Sequence, residues 1–189
     1  MKRVHQSVLI VATILASWFG MQAVHESGHV IGALVTSAEV KQVVLHPLTI
    51  SRTDLGDNPH PLIVVWAGPA FGVVFPLFLW GLLAACSLPG KGVARFFAGF
   101  CLIANGAYIA VGSLDQVGDC KEMLRHGSDP WHLWAFGIVT VPAGFCLWHR
   151  LGPEFGLGTA NGEVDARVAY GTATILVLLL IVAFLVDGT

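Results

Sequence analysis

Charge is what this sequence has least of. Lys, Arg, Asp and Glu make up 12% of its 189 residues, about half the share of an ordinary soluble domain. Over half the chain, 55%, is hydrophobic, and the mean hydropathy is +0.73. This balance excludes a water-soluble globule and points to an integral membrane protein. A basic stripe is missing too. The net charge is −2, so nucleic acid is not an expected partner. Cysteine is sparse: Cys86, Cys101, Cys120 and Cys146 show no C-x-x-C spacing. Three of them lie in apolar segments, where a thiol behaves as a small hydrophobe. Neither a disulfide framework nor a cysteine metal site is expected. Internal repeats and low-complexity tracts are also lacking.

Long apolar runs are what the chain has instead. A bilayer crossing takes about 20 residues, and five stretches qualify, near 7–36, 61–85, 93–113, 131–149 and 167–187. The expected fold is an all-α polytopic membrane protein of about five transmembrane helices, forming a single domain over 1–189. Met1-Lys2-Arg3 before the first run resembles a signal peptide, but the run continues unbroken into a polar motif, so a retained span is expected. The last run, centred on Ala173 to Val186, reads as a structural, lipid-facing helix. The fourth carries Trp131 and Trp148 at its ends, where tryptophan suits the membrane–water interface. Between the first two spans, Val40–Leu45 and Leu48–Arg52 are rich in β-branched residues and are separated by His46-Pro47. They read as a small β-hairpin-like strand pair. Asp54 to Pro59 reads as turn, and the Gly-rich stretch 150–166 as a loop. With the N-terminus inside, Lys2, Arg3, Lys91, Arg95, Arg150 and Arg167 share the cytoplasmic side, which the positive-inside rule favours.

The polar motif is His25-Glu26-Ser27-Gly28-His29. On a helix, H-E-x-x-H sets two imidazoles one turn apart on one face, the spacing that grips a single Zn²⁺. The glutamate between them is placed to act as general base toward a water on the metal. Val8 to Val24 before it is apolar apart from Thr13, Ser17, Gly20 and Gln22. Ionisable side chains are expensive in such a setting and mark function by default. A pair of histidines merely satisfied inside a bundle would leave Glu26 buried without a purpose.

A catalytic zinc site needs a third protein ligand. The histidines sit about 27 Å into the first span at helical rise, toward its C-terminal end. Spans alternate in direction, so the C-terminal end of the third span lies on the same side. Asp115 and Asp119 adjoin that end. Asp119 is preferred, because it follows a glycine and opens a helical segment, where the helix dipole favours an ionised carboxylate. Asp119 as a simple N-cap and Asp115 as the ligand remain alternatives. His46, His60 and His126 are further candidates on that side, each reading more simply as a loop histidine. Asn105, polar within the third span, is either a substrate contact or a helix–helix hydrogen bond. Gly68-Pro69 and Gly72 allow close helix packing or a kink.

These residues together resemble the site-2 protease family of intramembrane zinc metalloproteases. His25-Glu26-Ser27-Gly28-His29 is similar to that family's H-E-x-G-H, and Ala67-Gly68-Pro69-Ala70 to its A-G-P motif. Asn105 followed by Asp119 looks like a degenerate form of its aspartate motif. The likeness runs in family order over about residues 18–125. Ser27 stands where the family has an apolar residue, the Asn105–Asp119 interval is longer, and nothing resembles the family's PDZ domain. The resemblance implies hydrolysis of peptide bonds in membrane-embedded proteins, in the setting of regulated proteolysis.

The expected function is therefore a zinc-dependent intramembrane endopeptidase, with His25, His29 and Asp119 on Zn²⁺, Glu26 as base and Asn105 near the substrate. The expected partners are a transmembrane or membrane-inserted protein substrate, a regulatory or adaptor membrane protein that selects it, and the bilayer, with the cell membrane as location. A metal-binding or transport protein needs ligands but no base beside them. A catalytically inactive, protease-like scaffold would be expected to have lost Glu26 or a histidine. Both alternatives fit the retained triad less well.

Overall fold

The apolar runs fold as helices whose ends follow local chemistry. The computed structural model describes residues 2–45 and 51–187. Helix α1 spans Lys2–Val35, α2 Pro61–Ala85, α3 Lys91–Asp115, α4 Gly118–Arg125, α5 Pro130–Trp148 and α6 Ala166–Asp187. Five of them, all but the short α4, are long and apolar enough to cross a membrane. Proline occupies the first position of α2 and α5, where its missing N–H is no loss. Asp165 Oδ1 accepts the Arg167 N–H at 2.8 Å and starts α6. Gln116 ends α3 in the left-handed region at φ 51°. That reversal, with Gly118 also at φ 51°, turns the chain from α3 into α4 within two residues.

Small residues let the spans approach closely. A Cβ at Gly28 would meet Gly68 Cα at 2.8 Å, and one at Gly32 would meet Ala67 Cβ at 2.7 Å, so α1 lies almost backbone to backbone on α2. The α3–α5 contact is built the same way. A Cβ at Gly137 would meet Gly106 O at 2.8 Å, and one at Gly144 would meet Gly99 O at 2.7 Å. Helix α6 packs its one buried stripe against α1, with Ala169 beside Leu9, while most of its apolar surface faces outward. The lipid-facing character expected of this span follows from that arrangement.

Two segments differ from their sequence reading. The hairpin pairs β1, Val40–Val44, with β2, Arg52–Leu55, antiparallel, in the register Val43↔Thr53 and Val44↔Arg52. The second strand thus begins where the sequence pattern ends it, and Asp54 and Leu55, expected in a turn, are paired. The β-branched pattern over 48–50 lies outside the described residues. Pairing decides the register here: Leu55 packs with Val40, Ala33 and Val64 in a small apolar cluster, which draws the strand downstream. The stretch 150–166 holds two 3₁₀ turns, Gly152–Phe155 and Gly158–Ala160. It also contributes Leu151 and Phe155 to a cluster with Leu9 and Ala169. The buried Gln6 amide ties it to α1 by donating to the carbonyls of Phe155 and Gly156 at 3.0 and 2.8 Å.

Candidate metal centre

The helical spacing of H-E-x-x-H does locally what it predicts. His25 and His29 stand one turn apart on α1, both buried, with Glu26 beside them and 3% exposed. Asp119 arrives from the first turn of α4. One donor atom from each of His25, His29 and Asp119 lies within 4.8 Å of the others. His25 Nε2 is 2.9 Å and His29 Nε2 3.4 Å from Asp119 Oδ2, and the two Nε2 atoms are 3.1 Å apart. Asp115, by contrast, is exposed at the end of α3. His60 is exposed before α2, and His126 pairs with Glu122 at 3.3 Å. His46 falls outside the described residues.

Hydrogen-bond accounting fixes which way the imidazoles face. The carbonyl of Val64 can only accept, so His29 donates to it from Nδ1, at 2.9 Å. Asn105 Nδ2 donates to the Cys101 carbonyl at 2.9 Å, which leaves Asn105 Oδ1 to accept from His25 Nδ1 at 2.7 Å. Both Nδ1 protons are therefore spent outward, and both Nε2 atoms turn lone pairs toward a carboxylate oxygen. With both imidazoles neutral, three electron-rich atoms converge with no hydrogen between them. A positive charge belongs at their meeting point. The donor set, two imidazole nitrogens and one carboxylate oxygen, is of a kind that binds divalent transition metals. The outward bonds are of the kind that orient metal-ligating histidines. His25, His29 and Asp119 thus fit a divalent metal. Burial works to raise the Asp119 carboxyl; with a proton on an imidazole Nε2, the hydrogen bonds and charge of the two histidines outweigh it and hold the group well below the usual carboxylate range. Cys120 beside it is no ligand: burial pushes its thiol up to about 11, and Sγ faces the Ile109 carbonyl.

The glycines of α2 make room for this arrangement. A Cβ at Gly68 would collide with the His29 ring, and one at Gly72 would sit 2.8 Å from both amide atoms of Asn105. Close packing, the role expected of these glycines, is thus packing against a ligand and its hydrogen-bond partner. Asn105 is 1% exposed and joins α3 to His25; it also borders the cavity before the site.

Three contributors escape a sequence reading. Thr53 of β2 reaches over the site, its hydroxyl donating to Glu26 Oε2 at 2.8 Å. Tyr108 accepts the Asp119 backbone N–H at 3.0 Å and steadies the first turn of α4. The Val64 carbonyl holds His29. Tyr108 follows Asn105 by three residues, hence on the same helical face, and that spacing was the one available signal. Thr53 sits in a polar stretch with nothing to mark it.

A cavity of about 1290 Å³ opens in front of these groups, between α1, α3, α4 and the hairpin. Glu26, His25, His29 and Asp119 all border it. Ser27 does not: it is exposed on the other side of α1 and donates back to the Ala23 carbonyl at 2.7 Å. The chain matches no protein-family model, no curated protein and no solved structure.

Proposed function

We propose that this chain is a zinc-dependent intramembrane endopeptidase, acting as the site-2 proteases it resembles act. One observation carries the reading. A buried carboxylate, Glu26, borders the same cavity as three converging metal-ligand atoms, and it shares with both histidines a helix long enough to span a bilayer. A metal carrier or a scaffold has no use for that extra acid, and burying it unpaired with a cation is expensive.

Zinc at this site would supply Lewis acidity, to acidify water and polarise a carbonyl. His25, His29 and Asp119 would hold it. Glu26 takes the proton from water as its oxygen attacks the peptide carbonyl carbon. It then delivers that proton to the amine nitrogen as the C–N bond breaks. Thr53 holds one oxygen of Glu26 and leaves the other to the water. Asn105 and the Val64 carbonyl keep both imidazoles aimed. The substrate is a membrane-embedded protein segment, the setting is the cell membrane, and an adaptor membrane protein selects what is cut.

The test is a pair of variants assayed for bound metal and for cleavage of a membrane-inserted substrate. Glu26→Gln should keep its zinc and lose cleavage, since glutamine retains the shape but not the base. His25→Ala should lose both. Near-normal cleavage by Glu26→Gln, or full zinc in His25→Ala, sinks the reading.

A further inference from the structure

The large cavity is not uniform along its length. One end is polar, bordered by Arg52, Asn58, Glu122 and His126, and the other is bordered by Trp18, Met21, Gln22 and Ala104. The metal-ligand group lies between them. Trp18 stands near the midpoint of α1, Lys2–Val35, and about 10 Å below His25 along the helix. With α1 crossing the bilayer, the second end reaches toward the membrane interior and the first faces its surface.

Gln22 is the odd residue of the inner end. It lies within the apolar half of a span, where a polar side chain is disfavoured without a role. Its carboxamide makes no hydrogen bond among the described residues, yet it borders the cavity one turn before His25. A carboxamide offers one acceptor and one donor face, the complement of a peptide group. A peptide unwound inside a membrane has C=O and N–H groups with no water to satisfy them. Gln22 lies about 4.5 Å deeper than His25. An extended strand advances about 3.3 Å per residue. Gln22 would therefore meet a peptide group one or two residues from the bond being cut.

We propose that Gln22 is a substrate-positioning residue, its carboxamide pairing with the backbone of an extended segment on the membrane side of the metal centre. The segment's apolar flank then lies along Trp18 and Met21 and its polar flank among Arg52, Asn58 and Glu122. This rests on the endopeptidase reading and assigns a residue within it. A wholly polar peptide would desolvate against Trp18 and Met21. A wholly apolar one would strip water from Arg52 and Glu122 without replacing it.

The probe is a fluorescent single-span peptide, a Leu/Ala run joined to a Ser/Asn-rich flank, titrated onto the full chain in lipid nanodiscs. The Glu26→Gln background prevents cleavage. Adding Gln22→Met keeps length and apolar fit but removes both hydrogen-bonding faces. We expect about tenfold weaker binding at equal metal content. A photo-crosslinking residue at position 18 should capture the Leu/Ala half, and one at position 58 the Ser/Asn-rich half. Equal affinity of the two proteins overturns the inference, as does no binding by Glu26→Gln or capture of the halves in reverse. Wild-type protein that binds the peptide through Gln22 yet cleaves nothing sinks the endopeptidase reading and leaves the subsite standing. Cleavage with binding indifferent to Gln22 does the opposite.

Discussion

Replacing Asn105 by leucine separates a ligand-orienting role from a substrate-contacting one. Asn105 is 1% exposed, and its Oδ1 accepts the His25 Nδ1 proton at 2.7 Å. Leucine keeps the branching at Cγ and favours the helix, and the Cys101 carbonyl retains its main-chain bond within α3. What changes is local: His25 Nδ1–H is left facing hydrocarbon. An unsatisfied buried donor costs about 1–3 kcal/mol. Loss of the partner that orients a metal-ligating histidine costs about 10–100-fold in metal affinity, or roughly 1.4–2.8 kcal/mol. The two routes agree, so Asn105→Leu should bind zinc about 10–100-fold more weakly. The assay is competition with a chromophoric zinc chelator on the detergent-purified protein, with thermal unfolding as a check on the fold. Asn105→Asp, which restores an acceptor for His25, should recover much of the lost affinity. Wild-type zinc affinity in a folded Asn105→Leu protein would refute the argument. If its KM then rose, the residue would belong to substrate binding instead.

Two further substitutions probe the rest of the site. Asp119→Ala should lower zinc affinity by more than the roughly 100-fold limit for an outer partner, because it removes a ligand. Asp115→Ala should leave it unchanged, since Asp115 is exposed at the end of α3; metal analysis of both proteins decides, and the reverse order would move the ligand assignment. Thr53→Val keeps the strand but removes the donor to Glu26 Oε2. A hydrogen bond to a charged group contributes about 1.5–3 kcal/mol, so turnover should fall at least about tenfold with zinc content intact; unchanged turnover would mean that the hairpin does not orient Glu26.

Much of the architecture was legible in the chain because the bilayer imposes a simple rule. A backbone without water must bond to itself, so a run of about 20 apolar residues is a helix. All five spans appear within a few residues of where hydropathy puts them. The pairing of His25, Glu26 and His29 was equally local, since three residues within one helical turn and a half share a face whatever surrounds them. Convergence with Asp119 was half legible. Alternating span direction brought Asp115 and Asp119 to the right end, but the choice between them rests on a left-handed turn at Gln116 and on Tyr108 holding the first turn of α4. The strand pair was legible in its β-branched composition, and its first strand stands where expected. The second runs on to Leu55 for the same kind of reason, since its register was set by Leu55 packing with Val40, Ala33 and Val64 on other elements. Thr53, the Val64 carbonyl and the spaces at Gly68 and Gly72 carry no pattern at all. Each acts only by its distance to a residue on another helix, and such distances exist only once α1, α2 and α3 have packed.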